Sequence, residues 1–227
     1  MAIQVLYEDN HLIGVNKKAG DITQGDKTGD ETLPDKVKAW LKVKYDKPGN
    51  VFCGVIHRLD RPTSGVVLLA KTSKGLSRMN AMFQKKQVQK TYWAIVEDKP
   101  STDSGSLSDY LKKNDKQNKS YVVNKDTSGA KHAELDFKLI ASSDRYYLLE
   151  VNPRTGRHHQ IRTQLAHLGT VIKGDLKYGA KRSNGDGSIS LHARKIEFSH
   201  PVSQATISIT APVPNDKLWQ WFEKETK

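Results

Sequence analysis

The sequence predicts an α+β fold, a mixed and mainly antiparallel central β-sheet flanked by helices and carrying a basic cleft. Three observations predict it. Short apolar or alternating runs outnumber the stretches with helical spacing. Several runs follow one another across short turns, as hairpins do. The 37 Lys and Arg exceed the 25 Asp and Glu, a formal net charge of +12, and the excess is clustered.

The elements follow in order. Residues 3–7 and 12–15 read as strands separated by the turn signal Glu8-Asp9-Asn10. Pro34 suits a helix start, and Val37, Trp40 and Leu41 follow at helical spacing. Residues 51–56 and 66–70 are apolar enough for central strands, and they bracket the polar loop 57–65. A helix after Thr72 or Ser73 turns Leu76, Met79 and Phe83 inward and its basic residues outward. Strands are expected at 92–96, 121–123, 133–140 and 146–151, with 99–109 a loop and 112–119 a polar connection. A third helix begins near Thr155, carries Ile161, Leu165 and Leu168 as its stripe, and stops at Gly169. After a loop at 183–188, residues 189–193 and 205–209 alternate as half-buried strands. A closing helix at 216–224 buries Leu218 and Trp221 or Phe222, and Trp219 and Trp221 read as packing residues. No repeat or long linker interrupts the chain, so one domain over 1–227 is expected.

Composition excludes several classes. No apolar run approaches the ~18 residues of a spanning helix, and the N-terminus lacks the basic-then-apolar order of a secretory signal. One cysteine, Cys53, allows no internal disulfide and no cysteine-based zinc site. It reads as a small buried apolar residue in a cytoplasmic protein. His158, His159 and His167 have no usual zinc spacing, so no metal is expected. A basic balance with a pI of 9.6 points to a polyanion, most often nucleic acid. Lys71, Lys74, Arg78, Lys85, Lys86 and Lys90 occur within 71–90 without an acid. Arg154, Arg157, Arg162 and Lys173 occur within 151–174, again without one. Each stretch reads either as a solvated face or as one wall of a polyanion groove.

The most informative stretch is His57-Arg58-Leu59-Asp60-Arg61-Pro62-Thr63-Ser64-Gly65, a loop that sets a carboxylate between two arginines. A carboxylate beside cations is held as an anion, better suited to a nucleophile or electrostatic partner than to a general acid. The same residues also read as a plain turn whose Asp and Thr cap backbone amides.

This stretch resembles the His-Arg-Leu-Asp-x-x-Thr-Ser-Gly motif of the RluA-type pseudouridine synthases. Four further segments follow the family's order. They are Tyr7-Glu8-Asp9 through Asn16-Lys17 and Ala19-Gly20, and Lys90-Thr91-Tyr92-Trp93-Ala94. Next comes the stretch from Arg154-Thr155-Gly156-Arg157-His158-His159-Gln160-Ile161-Arg162 through Leu165-Ala166-His167-Leu168-Gly169, Gly174-Asp175 and Tyr178-Gly179. The last is Leu191-His192-Ala193 with Phe198-Ser199-His200-Pro201. The likeness runs from about residue 3 to 212. Two departures are Lys17-Lys18 where the family has Lys-Pro, and Arg162-Thr163-Gln164 where it has Arg-x-His.

The resemblance implies a pseudouridine synthase fold and the isomerisation of uridine in rRNA or tRNA after base flipping. It implies Asp60 as the catalytic aspartate, Tyr92 stacked on the uracil, and Arg162 ion-paired with Asp60. Arg58, Arg61, Thr63, Lys90, Arg157, His159, Gln160 and Leu191 are expected around the substrate. Lys71, Lys74, Arg78, Lys85 and Lys86 are expected on the RNA backbone. An isomerisation needs no cofactor, and none is expected; nor is a membrane, an obligate protein partner or an oligomer. The catalytic pattern leaves no room before it for the S4 RNA-binding module that many relatives carry. Two other functions remain on the residues alone: a non-catalytic RNA binder, and a glycosylase using Asp60.

Overall fold

The computed structural model describes residues 3–25 and 29–226. The chain divides into two compact units, Met1–Gln89 with Ala193–Pro212, and Lys90–His192 with Val213–Lys227.

In the first unit, β1 (Gln4–Glu8) pairs antiparallel with β2 (Leu12–Lys17). The intervening turn is fixed by Asp9, whose carboxylate accepts from the His11 and Leu12 amides. Helix α1 (Leu33–Lys44) starts as expected, with Thr32 as N-cap and Pro34 in its first turn, and buries Leu33, Pro34, Val37 and Leu41. The apolar run at 51–56 contributes only the two-residue β3 (Gly54–Val55), because Phe52 remains exposed and the chain then leaves the ladder. Strand β4 (Ser64–Ala70) is buried throughout and pairs antiparallel with both β2 and β3. Its unbroken apolar sequence fits a strand covered on both faces. Helix α2 (Ser73–Gln84) is capped by Thr72, whose hydroxyl accepts from the Gly75 amide at 3.0 Å, and it buries Gly75 and Met79.

The second unit holds an antiparallel sheet of β5 (Gln89–Val96), β6 (Ser104–Asn114), β7 (Lys119–Val123), β8 (Lys131–Ser142) and β9 (Tyr147–Pro153). Its order is β5-β9-β8-β6-β7. Strand alternation divides the core between the two faces. Ala94, Val96, Leu135, Phe137, Leu149 and Val151 pack with Ile161 and Leu165 of helix α3 (Gln160–His167). Trp93, Ile95 and Leu148 instead pack with the C-terminal helix described below.

Strand β10 (Leu191–Ser199) carries the chain back into the first unit, where its second half pairs antiparallel with β11 (Thr206–Thr210). Helix α4 (Lys217–Glu225) is capped by Asp216 and buries Trp219 and Phe222; Trp221 is exposed and Leu218 half-buried. Among the described residues, no helix is long and apolar enough to cross a membrane.

Three local expectations are corrected. Residues 99–109 form a loop only to 103 and residues 112–119 a connection only at 115–118: β6 runs from 104 to 114 and β7 begins at 119, leaving a tight turn between them. One face of β6 is wet, so serines and lysines dilute its apolar signal. Helix α3 starts at Gln160 rather than near Thr155, because His159 takes a left-handed conformation (φ 53°) that no helical turn can include. The closing helix buries Trp219, not Trp221.

Candidate active site

In the first unit, Asp60 sits half-buried in the turn between β3 and β4. The carbonyls around it are tied down one by one. That of Leu59 accepts from the Thr23 hydroxyl at 3.3 Å, and that of Asp60 from the Thr63 amide at 3.0 Å. That of Arg61 accepts from the Gly20 amide at 2.8 Å and from Lys17 Nζ at 3.1 Å. Lys17 Nζ also donates to the carbonyls of Thr63 at 2.7 Å and Lys18 at 3.1 Å.

Lys17 is completely buried. Burial pulls its ammonium down to about 8, against the support of the Asp21 and Asp60 carboxylates. A charged donor at the root of the turn fixes its backbone, so the Asp60 side chain is presented from a rigid base. Gly65 ends the turn at φ +117°, and a Cβ there would lie 2.3 Å from the Ala193 carbonyl oxygen. The motif therefore requires glycine on two counts. His57 is structural: its Nε2 accepts from the Leu68 amide at 3.0 Å and its ring stacks on Phe83.

The neighbouring candidates divide by exposure. Arg58 reaches Gln24 at 2.6 Å and Arg61 pairs with Asp30 at 2.8 Å, both as exposed side chains. The Thr63 hydroxyl is buried without a hydrogen-bond partner among the described residues. Lys71 is engaged by Glu8 at 2.5 Å and lies over the Tyr45 ring. Lys74, Arg78, Lys85 and Lys86 are exposed and make no ion pair among the described residues. Cys53 is buried, which pushes its thiol up to about 12.

In the second unit, Arg162 is 5% exposed and gripped by Asp175, which is 1% exposed, through two bonds of 2.7 Å. Its Nη1 lies 3.1 Å from His159 Nε2, and His159 Nδ1 lies 3.0 Å from the Tyr178 hydroxyl. Because a guanidinium only donates, His159 Nε2 accepts and the ring proton sits on Nδ1. Burial and the Arg162 charge pull His159 down to about 2, so it is neutral. Tyr178 also binds the Ser120 amide at 2.9 Å and the Thr163 hydroxyl at 3.1 Å, which joins β7 to α3.

Tyr92 is half-buried against the cluster that includes Ile161, Leu165 and Leu191, so Tyr92 and Leu191 share one apolar wall. Gln160 braces the turn before α3: its side chain accepts from the Arg157 amide and the Thr155 hydroxyl and donates to the Glu134 carbonyl. Arg157 is exposed, with Nε on the His132 carbonyl at 2.8 Å. Lys90 is half-buried, and burial lowers its ammonium.

Lys17, Asp175 and Tyr178 are the residues sequence reasoning assigned no role. Lys17 shows as a charge at the end of an apolar strand, and Asp175 as the first acid after the 151–174 stretch.

The family model for RNA pseudouridylate synthase matches residues 11–167. The chain is 33% identical to tRNA pseudouridine synthase C of Pasteurella multocida, covering 96% of this chain and 94% of that one. It is 32% identical to ribosomal large subunit pseudouridine synthase C of Vibrio vulnificus, over 92% of this chain but only 65% of that relative's length. The solved structure of human RNA pseudouridylate synthase domain containing 4 shares the fold. Its TM-score is 0.79 at 23% identity, over 98% of this chain and 92% of that one. With most of its length matched by sequence and its fold by structure, the chain belongs to the RNA pseudouridylate synthase family.

Proposed function

We propose that this protein isomerises specific uridines in structured RNA, rRNA or tRNA, to pseudouridine. The observation that carries the reading is the Asp60 turn, where three hydrogen bonds and a buried ammonium hold the carbonyls of Leu59, Asp60, Arg61 and Thr63 beneath one carboxylate. The reaction breaks the C1′–N1 bond, rotates the base and joins C5 to C1′; C5 loses a proton and N1 gains one. Asp60 attacks or stabilises the cationic sugar that forms as N1 departs, or starts its elimination. Tyr92 stacks on the flipped uracil, with its hydroxyl near C5 and Leu191 as the apolar wall. Arg162, preset by Asp175, pairs with the Asp60 carboxylate and fixes its geometry.

Around these, Arg58, Arg61, Thr63, Lys90, Arg157, His159 and Gln160 surround the substrate. Lys74, Arg78, Lys85 and Lys86 contact RNA phosphates; Lys71, held by Glu8, contributes less. Phosphate contacts offset the few kcal/mol of flipping the base. The relatives named for tRNA and for the large ribosomal subunit make both RNAs candidate substrates. The protein acts in the cytoplasm as a monomeric single domain, without metal or cofactor.

Incubation with RNA carrying C5-tritiated uridine tests this. Tritium release from an unbroken chain is expected. Free uracil would instead mean a glycosylase, and neither product a plain RNA binder.

A further inference from the structure

The four cations of the 151–174 stretch are all engaged by the protein itself. Arg154 pairs with Glu134 at 2.8 Å and Asp136 at 2.7 Å, and Arg162 with Asp175. Arg157 is bound to the His132 carbonyl, and Lys173 reaches Asn184 at 2.6 Å. Lys90 differs. Folding has taken it half out of water, yet among the described residues it has neither a carboxylate nor a hydrogen-bond acceptor. Its Nζ stands 4.0 Å from the point where a side chain would begin on Gly156, and beyond Gly156 and its two chain neighbours no other described atom comes within 4 Å of that point. Gly156 is exposed, so the backbone beside the ammonium is open to solvent.

Desolvating a cation without a counter-ion is unfavourable unless a ligand supplies the anion. Lys90 and Tyr92 are alternate residues of β5 and share one face, about 7 Å apart along the strand. That is comparable to the separation of a base from its own phosphate.

We propose that Lys90 and the Gly156 turn form a binding site for a single phosphate, that of the nucleotide whose base stacks on Tyr92. This rests on the reading of the chain as an RNA uridine isomerase. The site takes one phosphate in one place, unlike the exposed lysines of the RNA footprint. Gly156 leaves room for the phosphate oxygens that a side chain would fill.

The test is a titration of the isotopically labelled full chain, following the Gly156 amide by NMR. Uridine 3′,5′-bisphosphate is expected to move that amide and uridine to leave it in place. Uridine 5′- and 3′-monophosphates then tell which phosphate is held. Lys90→Gln should weaken the bisphosphate by about tenfold to a hundredfold, as loss of a charged hydrogen bond does. Lys90→Arg should restore most of it, and Gly156→Ala should weaken it without touching Lys90. On RNA, Lys90→Gln should raise KM and leave kcat nearly unchanged.

The proposal is overturned if Lys90→Gln binds the bisphosphate as wild type does, or if uridine alone moves the amide equally. A fall in kcat at constant KM would also overturn it, placing Lys90 at the reacting atoms. A wild-type chain that releases no tritium from any RNA would defeat the isomerase reading, while the nucleotide titration would still decide the phosphate site.

Discussion

The acid-free stretches 71–90 and 151–174 carry similar charge, but their cations end in different surroundings. In the first, Lys74, Arg78, Lys85 and Lys86 stand exposed on and just beyond α2, with no ion pair among the described residues. In the second, antiparallel pairing brings Glu134 and Asp136 of β8 to Arg154, and the chain turns back within 13 residues to set Asp175 on Arg162. Freedom from acids along the chain therefore says little about freedom from acids in space. A helix face keeps its sequence neighbours, whereas a sheet imports partners from strands many residues away. The exposed cations of the first stretch are the ones proposed to meet phosphates; the second stretch is mostly committed to holding its own unit together.

Removing the acid that answers Arg162 of the second stretch should give the largest effect. Asp175→Asn removes the carboxylate charge bound to the buried Arg162 guanidinium through two bonds of 2.7 Å, and an unfolding free energy lower by about 3–5 kcal/mol is expected. Urea titration measures it, and a loss under about 1 kcal/mol would show that the pair is not structural.

Next comes pH. His159 titrates near 6.5 when unfolded and is pulled down to about 2 when folded. Its folded pKa is the depressed one, so below pH 6.5 the unfolded chain takes up a proton that the folded chain does not. Stability is retained above that pH and lost as pH falls, by about 2 kcal/mol from this site between pH 7 and 5. His159→Asn, chosen because asparagine tolerates the left-handed backbone, should flatten that part of the profile. An unchanged slope would mean that the ring is not held neutral.

The first stretch should respond in RNA binding instead. Lys85→Ala with Lys86→Ala should make the slope of log K against log salt shallower by about one to two, with stability shifted by no more than about 0.5 kcal/mol. Wild-type affinity and slope in that variant would reduce those lysines to a solvated face. Arg154→Ala should change the salt slope least, its charge being already answered by two carboxylates. A slope change matching that of the lysine pair would erase the distinction between the stretches.

Much of this was legible in the residues because local chemistry decided it. Pro34 and Thr32 mark the start of α1, Thr72 that of α2, and the apolar run after Gly65 forms the fully buried β4. The Asp60 loop stood out because two arginines flank a carboxylate between apolar runs. What escaped depended on distant partners. Lys17 reads as an ordinary strand-end lysine until residues 44 and 46 positions away offer it their carbonyls. The start of α3 moved because His159 turns left-handed to meet Tyr178 and Arg162. Strand β6 was hidden because only one of its faces is apolar.

We propose that the restrained Asp60 turn presents the carboxylate that isomerises uridine. The direct measurement is single-turnover tritium release from C5-tritiated RNA by wild type and by Asp60→Asn, which removes a charge but almost no volume. Wild type should release tritium with the RNA chain intact, while the variant folds, binds RNA with similar affinity and releases none. Tritium release by the variant at a rate near that of wild type would contradict the account.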